Sequence, residues 1–353
     1  MKILIAGTWL YSMYEKALAD ALGEYGHTVI GYSWVKFFRS TLGKFENKYA
    51  IGGFYTNRMN KDLLSKVKNE CPDIFLAWRA TNIFPATLRK MRNYGVKYVA
   101  SYNHDDFTGP SLGAPVPIHH FLHWRLYLKA AKYYDCHFVK RESNIKHLEQ
   151  LGSSHNEIMP MWFVPLYHRP VALTPDERAR FSCDAVFIGH YEPDDRVNHL
   201  AALVKAGLSV KLFGDRYWTT HVLGDLYSYF SPITPAVGDN YAKALCGAKV
   251  CLAFLSKLNR DTYTRRCFEI PACGRVLLAE RTDDLLKMFV EDKEACFFSS
   301  TEELVEKAKW LVENSFIAQK IAEAGRNRVW ADGHDVKSRT AEFLSLIMRS
   351  SYQ

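Results

Sequence analysis

The sequence predicts an α/β protein of two Rossmann-like domains facing across a cleft, followed by a helical tail. Three observations lead there. The chain has 353 residues, which suits two domains of about 150–200 residues better than one core. Short apolar strands alternate with helical stretches twice over, the pattern of parallel sheets covered on both faces. Between the two series lies VPLYHRPVALTPDERARFS, residues 164–182, with three prolines and no sustained periodicity, which marks a connection.

The first series opens with KILIAG, a helix around 10–25 and HTVIGYS. DIFLAW, the PATLRKMRNYG helix, KYVASYN, an aromatic-rich helix near 118–133, CHFVKR and a helix near 142–151 follow. The second series runs CDAVFIG, a helix near 195–206, LSVKLFG, a helix near 239–247, AKVCLAF, a helix near 262–273 and RVLLAE. From 301 the chain reads as helical: TEELVEKAKWLVE, SFIAQKIAEAGRNRVW and a last helix near 335–350. Thr301 is the expected cap of the first of these. Leu304 stands where a full capping box would need an acid or amide.

Composition excludes several classes. At 48% hydrophobic, 24% charged and 14% aromatic, the chain is neither disordered nor of low complexity. No apolar run approaches the roughly 18–20 residues of a membrane span, and MKILIAGTWL reads as a first buried strand rather than a signal peptide. The eight cysteines form no CxxC pair and no zinc-like spacing, so a reducing, cytoplasmic compartment is expected.

Charge is uneven. Residues 1–168 hold 21 basic and 13 acidic side chains, whereas 169–353 hold 25 of each, so the whole net charge of +8 belongs to the first half. That bias favours an anionic partner there: a phospholipid surface, nucleic acid or a phosphorylated acceptor. It is equally compatible with an ordinary basic surface.

In open parallel sheets, ligands bind beyond the carboxyl ends of the strands. The polar residues expected there are Gly7, Thr8, Arg79, Asn103, His104, Asp105 and Asp106 in the first half, and Gly189, His190, Asp215 to Trp218 and the run 259–269 in the second. The most specific segment is DTYTRRCFEIPACGRVLLAERTDDLLKMF, residues 261–289. Glu269 lies in an otherwise apolar helix, where an acid is costly unless paired or bound to hydroxyls. Arg265 and Arg266 enter that helix near its start. This set fits a site for phosphate oxygens beside a vicinal diol. It fits an internal Arg266–Glu269 ion pair as well.

RxFEIPACG, the Thr-Asp-Asp-Leu helix, TEELVEKAKWLVEN and IAEAGRNRV together resemble the C-terminal domain of CgeB-like glycosyltransferases, within the GT-B class. The likeness reaches upstream to FIGHYEPDDRVNHLAAL and VKLFGDRYW, and more weakly to YDCHFVKRESNIKHLEQLG and the HRP of the connection. It implies an acceptor-binding domain over 1–168, a linker over 169–182, a nucleotide-sugar domain over 183–333, and a C-terminal helix, 334–353, that could pack back on the first domain.

The resemblance also implies roles. Glu269 matches the acid that binds the donor ribose, and Asp261, eight positions earlier, stands where related retaining enzymes carry a Glu near the transferred sugar. Arg266 and Arg196 match positions suited to the diphosphate; Arg196 also fits a solvated helix residue. Gly189 would let phosphate approach the backbone or is an ordinary strand-to-loop glycine, and Tyr217 and Trp218 could stack on the base or equally serve core or surface packing. His104 matches a histidine that contacts the donor sugar, while Asp105 and Asp106 could bind or deprotonate the acceptor hydroxyl.

The implied activity is transfer of a sugar from a nucleotide-diphosphate donor, a UDP-sugar before a GDP-sugar, with no essential metal and with retention. A cell-envelope or spore glycan, or its lipid-linked precursor, is the expected acceptor, with peripheral docking on the inner face of the cell membrane through Arg89, Lys90 and Arg92. A modified DNA base is the rival acceptor. A nucleotide-sugar epimerase and a non-catalytic nucleotide-sugar-binding protein are the rival classes.

Overall fold

The computed structural model describes residues 1–107 and 118–351. It divides into two compact units, Met1–Met161 with Val336–Gln353, and Trp162–Asp335.

The first unit runs β1 Lys2–Gly7, α1 Ala17–Glu24, β2 Thr28–Ser33, α2 Thr41–Lys48, α3 Phe54–Glu70, β3 Ile74–Trp78, α4 Pro85–Arg92, β4 Tyr98–Asn103, α5 Ile118–Ala130, β5 Cys136–Val139, α6 Glu142–Gln150 and β6 Asn156–Ile158. All strand pairings are parallel, in the order β2-β1-β3-β4-β5-β6. β1, β3, β4 and β5 are buried almost throughout; β1 and β3 read as continuous apolar runs, while β4 and β5 also bury Ser101, Asn103 and His137.

The second unit runs α7 Pro175–Phe181, β7 Cys183–Ile188, α8 Arg196–Lys205, β8 Val210–Phe213, α9 Thr220–Leu223, α10 Leu226–Phe230, α11 Asp239–Gly247, β9 Ala248–Ala253, α12 Arg266–Ala272, β10 Val276–Glu280, α13 Asp283–Met288, β11 Cys296–Phe298, α14 Thr301–Glu313 and α15 Ser315–Ala331. Its sheet is parallel, in the order β11-β10-β9-β7-β8. The last helix, α16 Val336–Ser351, belongs to the first unit: Lys337 pairs with Glu24 of α1 at 3.1 Å, and the Phe343 ring lies 4.8 Å from that of Phe138 on β5.

Local chemistry explains where the elements differ from the sequence reading. The proline-rich stretch 169–182 holds α7, because Pro175 sits at a helix start and Thr174 and Glu177 close a capping box. The cap of α14 is Ser300, not Thr301: the Ser300 hydroxyl accepts from the Glu303 N–H at 3.2 Å. Glu303 then occupies the capping-box position, but its carboxylate turns to Arg281 and to the Ser299 N–H. β6, β11 and the helices over 41–70 and 220–230 are short or polar, and strand–helix alternation alone does not place them. All eight cysteines are free thiols, seven of them buried or half-buried.

Arg281, just past β10, ties that strand to α14 by pairing with Glu303 at 2.6 Å, while Lys307 reaches Glu291 at 2.7 Å. The hydrogen bond from Arg281 is the main reason that the Glu303 carboxyl is held down to about 2, from an ordinary 4.5. A carboxyl depressed on folding contributes stability that is complete above its unfolded pKa and lost as pH falls through the folded one. Arg281→Gln should therefore lower the Tm at pH 7, and the deficit should shrink as the pH is taken from about 5 to about 2. A deficit independent of pH would remove the ion pair as its cause.

Candidate active site

Glu269 is the centre of the second unit's site. It sits on α12 with Cys267, Phe268, Ile270 and Ala272, all buried, so the helix has no wet face on which to place a charge. Phe268 stacks on His334 at 4.1 Å, and a Cβ on Gly325 of α15 would lie 3.7 Å from Pro271 Cβ, so α12 packs closely against α15. The Glu269 carboxylate has no exposed surface. Its Oε1 pairs with Arg265 and with His168 Nε2 at 3.2 Å; its Oε2 accepts from the Tyr241 hydroxyl at 2.5 Å.

The protons can be assigned. The Val164 N–H donates to His168 Nδ1 at 2.8 Å, so the ring proton is on Nε2 and points at Glu269. Burial lowers the His168 pKa against the pull of Glu269, which keeps the imidazole neutral. Burial pushes the Glu269 carboxyl up, but Arg265, His168, Tyr241 and Arg266 outweigh it and hold it below the usual range. Tyr241 is raised well above 10, first by burial and then by Glu269, and so stays a donor.

This changes one sequence reading. Glu269 pairs with Arg265 rather than Arg266, and its carboxylate is fully buried among Arg265, His168 and Tyr241. His168 and Tyr241 were missed. The HRP of the connection and the DNY at the start of α11 are visible in the sequence, but their convergence on one acid is tertiary.

Arg196 and Trp218 are also structural. The Arg196 side chain is 2% exposed and is held by Asp194 at 2.6 Å and by the His190 carbonyl at 2.6 Å, which commits the guanidinium and removes it from diphosphate binding. The indole of Trp218 is buried, donates to the Gly189 carbonyl at 2.8 Å and fills the space over Gly214, so it cannot stack on a base. Tyr217, by contrast, is 55% exposed beyond β8.

Gly189 follows β7. A Cβ there would lie 2.7 Å from the Phe187 ring and 2.8 Å from Arg266 Nη2. The missing side chain is what lets the Arg266 guanidinium reach this strand end, 5.6 Å over Phe187. Among the described residues Arg266 forms no ion pair, and its Nε is buried with no hydrogen-bond partner. Asp261 lies in the loop after β9, half-buried, its N–H bonded to the Ser256 carbonyl at 2.9 Å. Elsewhere in the second unit, a polar hollow of about 460 Å³ opens between Asp195, His199, Lys257, Glu280 and Thr301.

In the first unit, His104, Asp105 and Asp106 follow β4. The His104 ring stacks on Tyr14 at 5.1 Å and 19°. Asp105 pairs with Arg79 at 2.5 Å. Burial would raise the Asp105 carboxyl, but Arg79, His104 and Arg141 prevail and hold it at about 2, which makes it a poor base near neutrality. Asp106 is fully buried and accepts from Asn144 at 3.0 Å, so it fixes the loop instead of meeting an acceptor. Glu15 was not expected here. It is fully buried, and its Oε1 accepts from the Thr8 and Trp9 N–H groups at 2.8 and 3.2 Å. Its sequence signal is an acid sharing a helical face with Leu18 and Leu22. The backbone donors after β1, which otherwise would suit an anion, are thereby taken.

Residues 196–345 match the family model described as Glycosyl transferase-like. No curated protein matches the chain by sequence. Sucrose-phosphate synthase from Thermosynechococcus elongatus superposes with a TM-score of 0.73 at 12% identity, covering 99% of this chain and 98% of that one. Anabaena HepE in complex with UDP and glucose gives 0.64 at 12%, covering 99% and 100%. The α,α-trehalose 6-phosphate synthase of Burkholderia multivorans gives 0.62 at 13%, covering 100% and 99%. The two parallel-sheet Rossmann-like units therefore have the fold of GT-B glycosyltransferases. Among the described residues, no group of three or more His, Cys, Asp or Glu side chains could hold a metal ion, and no helix is long and apolar enough to cross a membrane.

If Glu269 anchors the site, Glu269→Ala should cost about 3–5 kcal/mol of stability by removing the fully buried acid on which Arg265, His168 and Tyr241 converge. Tyr241→Phe, which removes one hydrogen bond to a charged group, should cost about 1.5–3 kcal/mol. Urea unfolding measures both. A Glu269→Ala variant no less stable than Tyr241→Phe would contradict this assignment.

Proposed function

We propose that the protein is a glycosyltransferase of the CgeB-like kind, transferring a sugar from a UDP-sugar held by the second unit to an acceptor hydroxyl. The observation that carries this reading is Arg266: a guanidinium that forms no ion pair among the described residues and that the absent side chain of Gly189 admits to the end of β7. Its neighbours Arg196 and Arg265 are neutralised by acids. The family match over 196–345 and the fold of the UDP-bound neighbour support the same assignment.

In the reaction, the acceptor oxygen bonds to the anomeric carbon as the bond to the diphosphate oxygen breaks, and the acceptor hydroxyl proton passes to the departing diphosphate. Arg266 donates to the diphosphate and stabilises the charge that grows on it, the work that a metal does elsewhere. Tyr217, exposed beyond β8, stacks on the base. Asp261 keeps a carboxylate near the transferred sugar, and retention of configuration follows from that placement. In the first unit, Asp105, ionised by Arg79, is suited to orienting hydroxyls rather than deprotonating them. The acceptor is a cell-envelope or spore glycan or its lipid-linked precursor, and its reacting end is read as a neutral hydroxyl, since Glu15 occupies the backbone donors after β1.

Thermal shift with UDP, GDP, CMP and dTDP tests the donor reading. UDP should stabilise, by about 2.7 kcal/mol at 100 times its dissociation constant. Arg266→Gln should weaken UDP by about tenfold or more, the loss of one charge-assisted contact, while leaving the ligand-free Tm and the weaker binding of UMP nearly unchanged. No response to UDP, or equal UDP affinity in the variant, would overturn the assignment.

A further inference from the structure

The positive charge of the first half is concentrated. Residues 34–70 carry eight basic and three acidic side chains, a balance of +5 out of the +8 for residues 1–168. The acids there are already committed. Glu46 is buried, Asp62 pairs with Lys36 at 3.2 Å, and Glu70 pairs with Lys66 at 2.9 Å. Arg39, Lys44, Lys48, Arg58, Lys61 and Lys68 remain exposed.

The same segment exposes large apolar side chains. Leu42 and Phe45 on α2 are 57% and 50% exposed, and Phe54, at the start of α3, is 66% exposed. Spacing places them together with the cations: Leu42 and Phe45 share a helix face, Lys48 follows Phe45 by one turn, and Arg58 follows Phe54 by one turn. α5 packs against α2, where Arg125 Nε donates to the Ala50 carbonyl at 3.0 Å, and it adds Phe121 at 49% exposure.

The corner is built to be rigid. Glu46 of α2 accepts the Thr56 N–H of α3 at 2.8 Å, and the Thr56 hydroxyl donates to the Ile51 carbonyl at 2.7 Å. A Cβ on Gly53 would meet Glu46 Oε1 at 2.3 Å, so a side chain there would displace the carboxylate that ties the two helices together. A fixed frame presenting leucine and phenylalanine at this exposure gains nothing from water.

We infer that the α2–α3 corner docks on an anionic lipid surface, the apolar side chains entering the headgroup–acyl boundary and the lysines and arginines meeting phosphate. Charge selects the occupant. A second copy would set like charges face to face, and nucleic acid would take the cations but offers nothing to Leu42. The α4 helix, with Arg89, Lys90 and Arg92, is not this surface: its Thr87, Leu88 and Met91 are buried, Arg89 lies over Tyr133, and Arg92 is bound to the Lys97 carbonyl and Asp135. The inference is independent of the donor reading, because docking needs no nucleotide.

Flotation with phosphatidylcholine vesicles, with and without about 30% phosphatidylglycerol, tests it in the absence of nucleotide. The protein should float with the anionic vesicles at low salt and much less with neutral ones. Lys44→Glu with Lys48→Glu, and separately Phe45→Ser and Phe54→Ser, should each reduce binding by about tenfold or more. Thermal melts should show the variants folded, since every changed side chain is exposed. Phe54→Trp supplies a second reading, a blue shift of its emission on anionic vesicles only. No flotation by the unaltered protein, or equal flotation by folded variants, overturns the inference. So does tighter, Phe-independent binding to duplex or single-stranded DNA.

Discussion

One buried carboxylate organises the second unit. Glu269 has no contact with water and is stabilised by a guanidinium, an imidazole N–H and a phenol O–H brought from the segment before α12, from the chain before α7 and from α11. An isolated ion in that position would be prohibitive, and each of the three partners would be costly to bury alone. Satisfied together, they lock three pieces of chain to the helix that follows the β9 loop. The direction in which Arg266 leaves α12 depends on that lock.

The chemistry then follows from which cations are spent. Arg196 is neutralised by Asp194, and Arg265 by Glu269; both are fixtures of the fold. Arg266 lies within reach of a strand end where a glycine has removed the obstacle. The first unit repeats the logic with the opposite sign. Arg79 is spent on Asp105, which keeps that carboxylate ionised and weakly basic, and Glu15 closes the backbone donors after β1. What remains at that end is suited to hydroxyls more than to anions.

Parallel strands such as KILIA, IFLAW and VLLAE were legible because they are short continuous apolar runs that alternate with helical stretches. Gly189, Arg266 and Glu269 were legible as unusual residues at strand ends or in an apolar helix. Their partners were not, since local spacing offers Arg266 to Glu269 as readily as Arg265, and only packing decides. Arg196 and Trp218 failed as ligand residues for the same reason. A side chain that looks available in sequence is committed once Asp194 or the Gly189 carbonyl is within reach. The α2–α3 corner was invisible to strand–helix alternation, and its significance lies in exposure, which sequence does not report.

The most direct test of the central claim is a crystal structure grown with UDP. The account predicts a diphosphate within hydrogen-bonding distance of the Arg266 guanidinium, at the end of β7 beside Gly189, with the Glu269 cluster intact beneath it. UDP bound on the first unit, or in the hollow between Lys257 and Glu280 with Arg266 untouched, would contradict it.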